Sequence, residues 1–537
     1  MDSRPLSVLQ RPLVLRWSLR TLAAVAVALF LGMVVRFWHP IYGFTAFLQL
    51  DARNEAVAIS AFRDQPVFVY RNGTGYDGLQ YAQIAYHPLL TAGELRPAID
   101  NLSYRGRRIL LPALAWLLAA GQPAWIAQVY SGLNIACWLI LAALLWRLLP
   151  VSDARGLIAW GGLLFSAGAL GSVRFALIDL PALTLFAAAV WAAERGRPRA
   201  AVGWLAAAAL ARETSLLTGA AFATGPWKSP RAVARNLLWI LLAAVPLIAW
   251  IGYMSWCVAP INQGVGNFAW PVVGFARKWA GFLCLLDQPS LPFQEYDFTT
   301  LLAMIGLTVQ AGFIILRLRP ADSWWRVGAA YTLLMLVLGP AVWEGFPVAA
   351  FRVLLPLNLA CNVLALRRRA PLALLLACNL TLFSGLLAFR DAPPRDPREM
   401  LLARHWRAAE IVYLGKGWYG QEQNSRHRWK WAESCGHLAI ATWPRSETIE
   451  TRLSLYLQSL TPRTGRILVA GREIWRGQIG KALTKVSLPL LVKGDMNIEL
   501  TTDGPAVLEG DNPDARRLGF ALYDPAISVS EKPLASP

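Results

Sequence analysis

Four groups of polar residues interrupt an otherwise apolar chain, and each type and spacing suits a definite chemistry. The first is Asp77 in GTGYDGLQYAQIAYHPLL (73–90), a lone carboxylate between Gly75 and Gly78 at the head of an aromatic-rich, helix-like run. Asp and Gly suit a turn or helix cap, and nearby helix N-terminal N–H groups keep such a carboxylate ionised. A fixed carboxylate is also what a general base for a hydroxyl nucleophile requires. The second group is Arg105, Arg107 and Arg108 in DNLSYRGRRILLP (100–112). Arginines there snorkel at a headgroup boundary or clamp a phosphate, whose oxygens a guanidinium matches in a fork. The third is Arg174 and Asp179 in SVRFALIDLPAL (172–183), suited to an ion pair across a helix hairpin. The fourth is Arg212–Glu213 in ARETS. An ionisable residue at bilayer depth costs roughly 2.5–3.5 kcal/mol, so it faces a partner or a wet cavity. The third and fourth groups fall at one depth on one side, which points to a single polar cavity. Tyr76, Gln80, Tyr81, Arg174, Asp179 and Glu213 are its candidate wall and acceptor residues. Arg105, Arg107 and Arg108 are candidates for phosphate, and Arg212 is a further cation of the cavity.

The elements that must position these groups are membrane helices. The 537-residue chain is 56% hydrophobic, with a mean hydropathy of +0.40. Its long apolar runs match a hydrocarbon core of about 30 Å and must satisfy their backbone internally, as helices. Candidate segments are 18–38, 124–148, 155–172, 174–194, 199–211, 214–225, 235–256, 299–317, 325–343, 348–366 and 370–389. The 199–211 and 214–225 pair is too short for two crossings and reads as a hairpin crowned by ARETS. The run 107–120 is short and contains Pro112. Laid in the interface as an amphipathic helix, it places every net-basic linker (WRLLPVSDAR, ERGRPR, WKSPRAVAR, RLRPADSWWR, ALRRRAP) on the cytoplasmic side, as the positive-inside pattern demands. The expected topology is about eleven membrane-embedded helices with the N-terminus inside and the C-terminus outside. The first loop (39–106), the 257–298 loop and everything after 390 then share the outer face.

The formal charge of +19 is not a nucleic-acid signal. From Arg390 onward 21 basic residues oppose 17 acidic ones, and the remaining excess sits between spans. The six cysteines form no CxxC pair and lie near no His at metal spacing, so neither a disulfide framework nor a zinc site is expected.

At RDAPPRDPREM (390–400) prolines and charges mark a linker, taken as 390–411, with a short helix expected over Met400 to Ile411. Beyond it, RLSLYLQSL, RILVAGREIW, KVSLPLLV, MNIELTTD and LGFALYD alternate like strands between turn residues, which predicts an all-β sandwich over 412–537. In GKGWYGQEQNSRHRWKWAES (415–434), Trp418, Tyr419, Trp429 and Trp431 suit either sugar stacking or a sandwich core.

Taken in order, these motifs resemble the GT-C superfamily of multispanning glycosyltransferases. More closely, GYDGLQYAQIAYHP, YRGRRILLPALAWLL, DLPAL and ARETSLL look like a group of bacterial GT-C-like proteins of cell-surface glycopolymer formation. That group carries a C-terminal β domain with a GWYG-x-E…RW signature, here Gly417, Trp418, Tyr419, Gly420, Glu422, Arg428 and Trp429. The resemblance implies a GT-C-like domain over 1–389 and a bacterial inner-membrane location with a periplasmic β domain. It implies a polyprenyl-phosphate sugar donor and a glycan or glycolipid acceptor, with other envelope-glycan assembly proteins as partners. Asp77 would be the first-loop acid that acts as base or organises the acceptor. Asp179 would be the acid at the outer end of a span, and Arg212 the cation near the lipid phosphate. Trp418, Tyr419, Glu422 and Trp429 would bind glycan. One departure from the common GT-C pattern is the lack of an Asp-Asp, Asp-Glu or Asp-x-Asp cluster in the first loop. A Mg²⁺ or Mn²⁺ site normally uses more carboxylates, so no metal or other cofactor is expected. A lipid-linked sugar transporter would use the same basic phosphate contacts without a base, whereas a noncatalytic scaffold would work through its β domain, tolerating changes at Asp77, Asp179 and Arg212 but not around Trp418.

Overall fold

The computed structural model describes residues 11–40, 42–70, 75–222, 230–258, 266–286, 295–344, 349–390, 392–393, 408–414, 417–423, 427–443, 448–508 and 516–529. The chain divides into two compact units, Met1–Pro393 and Pro394–Pro537.

The first unit is helical. Four described helices are long and apolar enough to cross a membrane: Trp17–Val35, Pro123–Leu148, Val233–Cys257 and Asp297–Leu316. The pair Ala154–Leu164 and Ala167–Arg174, bent by 41°, makes a fifth if it is one span. These helices mark a multi-pass membrane protein. Its interior packs around Pro123–Leu148 and Asp179–Glu194, where Trp138 stacks on Phe30 at 3.7 Å and donates Nε1–H to the Leu164 carbonyl at 2.9 Å.

Several expected single helices are broken, each at an identifiable place. The segment 155–172 stops at Leu164 and restarts at Ala167. The Ser166 hydroxyl caps the second piece by accepting from the Ala169 N–H at 3.4 Å, and the Ala167 N–H goes to the Thr381 carbonyl at 3.0 Å. The segment 325–343 is helical only to Val337, and Pro340 opens a separate turn. Proline lacks the N–H that an unbroken helix needs. Leu354 separates Ala349–Val353 from Leu355–Arg367, which has Pro356 in its first turn, the position where proline is tolerated. The 370–389 segment splits into Leu372–Cys378 and Leu382–Leu387. The second limb of the ARETS hairpin is a 3₁₀ helix, Glu213–Phe222, up to the end of the described stretch. Arg326 donates to its Ala220 and Ala221 carbonyls at 2.7 and 2.9 Å, meeting acceptors that a tight helix end leaves open. The 257–298 stretch, expected as loop, contains a helix at Val273–Leu286.

The expected interfacial segment forms Leu110–Leu118. At about 1.5 Å per residue it is far too short to cross. It buries Leu111, Pro112 and Ala115 and exposes Leu117 and Leu118, each at 63%. The 39–106 stretch holds short helices, a parallel pair of two-residue strands, Leu50–Asp51 beside Val69–Tyr70, and the helix Asp77–Ile84.

Among the described residues the second unit holds two five-stranded antiparallel sheets and a two-stranded pair, Val507–Leu508 with Arg517–Leu518. One runs in the order Thr484–Lys493, Thr448–Gln458, Phe520–Val529, Arg428–Ala432, Trp418–Gln423. The other runs Ala408–Leu414, Cys435–Trp443, Asp495–Thr502, Arg463–Val469, Arg472–Ile479. Period-two alternation puts Leu453, Leu455 and Leu457 in a core shared with Leu438, Ile440, Ile467 and Leu500 of the other sheet. The first strand corrects one expectation. Residues 400–407 lie outside the described residues, but 408–411 belong to a strand paired with Cys435–Trp443, not to a helix. Leu455 is 1% exposed. Leu455→Ala is expected to destabilise this unit by about 2–5 kcal/mol through the cavity it leaves, read as an earlier denaturant midpoint for its unfolding.

Candidate functional site

Three helices in the first unit converge on one cavity, two of them at their starts. Asp77 is the first residue of Asp77–Ile84, and Asp179 is the first of Asp179–Glu194. Positions in the first turn favour an ionised carboxylate. Two glycines let Asp77 arrive there. Gly75 has φ +67°, open to glycine at no steric cost. Gly78 packs so closely on the Phe175 carbonyl that a Cβ would collide with it, which draws the Asp77 helix against the chain leading into Asp179. The third element is the short helix Ala349–Val353, which carries Arg352.

The cavity has a volume of about 350 Å³ and a wall that includes Tyr76, Asp77, Tyr81, Asp100, Tyr104, Arg105, Arg108, Asp179, Arg212 and Arg352. Arg105 reaches Asp77 Oδ1 at 2.9 Å and Asp100 Oδ2 at 2.8 Å. Arg352 Nη1 stands between two carboxylates, 3.6 Å from Asp77 Oδ2 and 3.3 Å from Asp179 Oδ2. Its Nη2 donates to the Tyr76 hydroxyl at 2.8 Å. Arg212 pairs with the other oxygen of Asp179. Arg108 grips Glu213 with two nitrogens at 2.8 and 2.9 Å, and donates to the hydroxyls of Tyr81 and Tyr104. Four guanidiniums thus balance four carboxylates. Most of these groups are sequestered from solvent, and Asp77 is the better exposed of the two central acids, with 26% of its side chain open against 1% for Asp179.

Burial works to raise the Asp77 carboxyl, but Arg105, Arg352 and Arg108 outweigh it and hold the carboxyl below its ordinary value of 3.8. Burial pushes the Tyr76 phenol up to about 12, against the opposing pull of Arg352. The site therefore presents a carboxylate, a neutral Tyr76 hydroxyl and fixed cations, suited to an anion beside a hydroxyl nucleophile.

The candidate residues are distributed unevenly. Tyr76, Asp77, Tyr81, Arg105, Arg108, Asp179 and Arg212 line the cavity. Glu213 sits behind Arg108 as its partner. Gln80 is buried, its amide oxygen accepting from the Asp100 N–H at 3.2 Å, so it shapes the chain rather than the wall. Arg107 is exposed and outside the cavity. The expected Arg174–Asp179 pair does not form. Arg174 packs over Phe37 at 4.5 Å and donates to the Tyr70 hydroxyl at 3.4 Å, while Asp179 is taken by Arg212 and Arg352. Sequence reasoning missed Arg352, Asp100 and Tyr104. Arg352 carried a signal, a single cation inside the apolar run 348–366.

In the second unit, Trp418 lies edge-to-face with Tyr413 and Phe520 and donates to the His437 carbonyl at 2.9 Å, so it packs on the core rim. Register aligns Tyr456, Tyr523, Trp429 and Glu422 in one row across four strands. Trp429 stacks on Tyr523 with centroids 5.1 Å apart, which covers one face of its ring. Its indole N–H donates to Glu422, which also accepts from Arg516. Tyr419 lies beside this row, within 5.6 Å of the Arg516 guanidinium.

No family model matches the sequence, and no curated protein matches it. Among solved structures the chain is similar to the arabinosyltransferase EmbB from Mycobacterium smegmatis, at 12% identity and a TM-score of 0.36. The match covers 98% of this chain and 66% of that one, so the chain spans about 66% of its neighbour's length.

Proposed function

We propose that this chain is a GT-C-type membrane glycosyltransferase that moves a sugar from a polyprenyl-phosphate donor to a glycan or lipid acceptor in cell-surface glycopolymer assembly. The observation that carries this reading is the meeting of a partly exposed, ionised Asp77 with Arg105, Arg108, Arg212 and Arg352 in one cavity of a multi-pass membrane protein.

The donor phosphate enters among the guanidiniums, which exchange part of their carboxylate contacts for phosphate oxygens. An acceptor hydroxyl hydrogen-bonds to Asp77. Its oxygen forms a bond to the anomeric carbon while the bond from that carbon to the phosphate oxygen breaks. Asp77 takes the hydroxyl proton, and the bonding pair leaves with the polyprenyl phosphate. Cations fixed where that charge grows supply most of the transition-state stabilisation. A base held below its ordinary pKa is weak, so the proton moves late, once the new bond has acidified the attacking oxygen. In the second unit, glycan contact falls to the open side of Trp429 with Tyr419 and Glu422, whereas Trp418 supports the sheet.

The phosphate assignment is tested by release of polyprenyl phosphate from lipid-linked sugar supplied to the purified full chain in nanodiscs. Arg108→Ala is expected to slow release by about 10²–10³-fold, the cost of losing one charge-stabilising donor. Arg107→Ala, at an exposed position, is expected to stay within about twofold of wild type. Equal effects of the two substitutions would remove the cavity from the reaction.

A further inference from the structure

The central carboxylates of this cavity do not fit a divalent cation. Mg²⁺, Mn²⁺ or Ca²⁺ takes six or more oxygen ligands, including carboxylate oxygens directed at the ion. Here each of the four carboxylate oxygens of Asp77 and Asp179 faces a guanidinium. Asp77 Oδ1 meets Arg105, Asp179 Oδ1 meets Arg212, and the two Oδ2 atoms meet the same nitrogen, Arg352 Nη1, at 3.6 and 3.3 Å. Among the described residues no three His, Cys, Asp or Glu side chains are grouped to hold a metal. A divalent ion would also enter against four guanidiniums in the same wall.

Building on the reading above, we propose that the Arg352 guanidinium takes the bridging place of a divalent cation between Asp77 and Asp179, so that the reaction runs on fixed arginine charge. Three separate elements are tied together this way, since Asp77, Asp179 and Arg352 stand on different helices. The bridge is held from behind. Arg352 Nη2 donates to the Tyr76 hydroxyl, the ring of Tyr76 lies 5.3 Å from the guanidinium carbon, and only 9% of the Arg352 side chain meets solvent. A guanidinium on such a tether presents a planar array of donors to both carboxylate and phosphate, and no chelator can strip it. Arg352 is in this sense a positioning residue. It sets the direction of Asp77 Oδ2 and contributes one positive charge where a metal would contribute two.

The inference predicts a gain of cation binding when the guanidinium is removed. The purified full chain in nanodiscs is titrated with Mn²⁺ alone, followed by electron paramagnetic resonance and by melting temperature. Wild type is expected to take up no Mn²⁺ at the site and to melt at the same temperature with EDTA or Mn²⁺. Arg352→Ala and Arg352→Gln are expected to take up a single Mn²⁺ and to melt several degrees higher with the ion than without it, as binding to the folded state requires. Adding Asp179→Asn to either variant is expected to abolish that uptake. The inference is overturned if wild type binds Mn²⁺ and loses it with Asp77→Asn, or if both Arg352 variants fold yet bind none. No sugar is present in this titration. A chain that proved inactive as a transferase would leave its outcome intact, and Mn²⁺ uptake by active wild type would overturn this inference alone.

Discussion

Asp179→Ala is expected to cost the membrane unit about 3–5 kcal/mol, the usual penalty for breaking a buried ion pair by removing one partner. The argument rests on what the substitution leaves behind. Asp179 is the shared anion of Arg212 and Arg352, and its side chain is 1% exposed. Without it Arg212 and Arg352 lose their shared anion, and the ion pair left to Arg352 is the contact to Asp77 at 3.6 Å. Asp179→Asn keeps an acceptor oxygen and is expected to lose less. Melting temperature and the folded fraction after size-exclusion chromatography measure the effect. Wild-type stability for Asp179→Ala would mean that the pair contributes nothing and that the cavity is held by other contacts.

Asp77→Asn is the second large effect and has the opposite signature. Transfer is expected to fall by about 10²–10⁴-fold, the range attributed to a lost general base, while the protein folds to its normal level. Folding tolerates the change because Asn fills the same space and Arg105 keeps both contacts to Asp100, at 2.8 and 3.1 Å. The pH dependence follows from the same geometry. Burial pushes the Asp77 carboxyl up, but Arg105 and Arg352 outweigh it, so its folded pKa lies below the ordinary 3.8. A depressed carboxyl contributes stability that is fully present above the unfolded pKa and is lost as pH falls through the folded one. Base function follows the same limb. Transfer is therefore expected to show no loss from this group between neutral pH and 3.8, with its acid limb lower still. A limb near pH 5–6 that vanished in Asp77→Asn would contradict the assignment.

The sequence exposes single charges better than it exposes their partners. Asp179 and Arg212 stand out because they interrupt apolar runs, and Asp77 because it is a lone carboxylate between glycines at the head of a helix-like run. Their pairings join residues far apart in the chain: Arg108 with Glu213 across 105 positions, Arg352 with Asp179 across 173. No local pattern encodes such a separation. Arg352 was legible in principle, since the cost of a buried charge that singles out Arg212 applies equally within 348–366. Helix breaks were harder to see. Composition marks an apolar run, but whether the run stays one helix depends on groups such as the Thr381 carbonyl that receives the Ala167 N–H from another segment. Two-residue alternation made Leu453, Leu455 and Leu457 readable as a strand. The strand Ala408–Leu414 is harder to read, since the run up to Ile411 also suits a helix and its pairing partner, Cys435–Trp443, lies beyond two intervening strands.

The account stands most directly on one comparison. Cells lacking this protein receive wild type, Asp77→Asn or Asp77→Ala at matched membrane levels, and their surface glycan is read by mass and composition. The account predicts that wild type restores the glycan while both variants lack one sugar or the whole polymer, the missing sugar identifying the donor. Normal glycan from both variants would contradict it, reducing Asp77 to a helix-start residue and taking the chemistry out of the cavity.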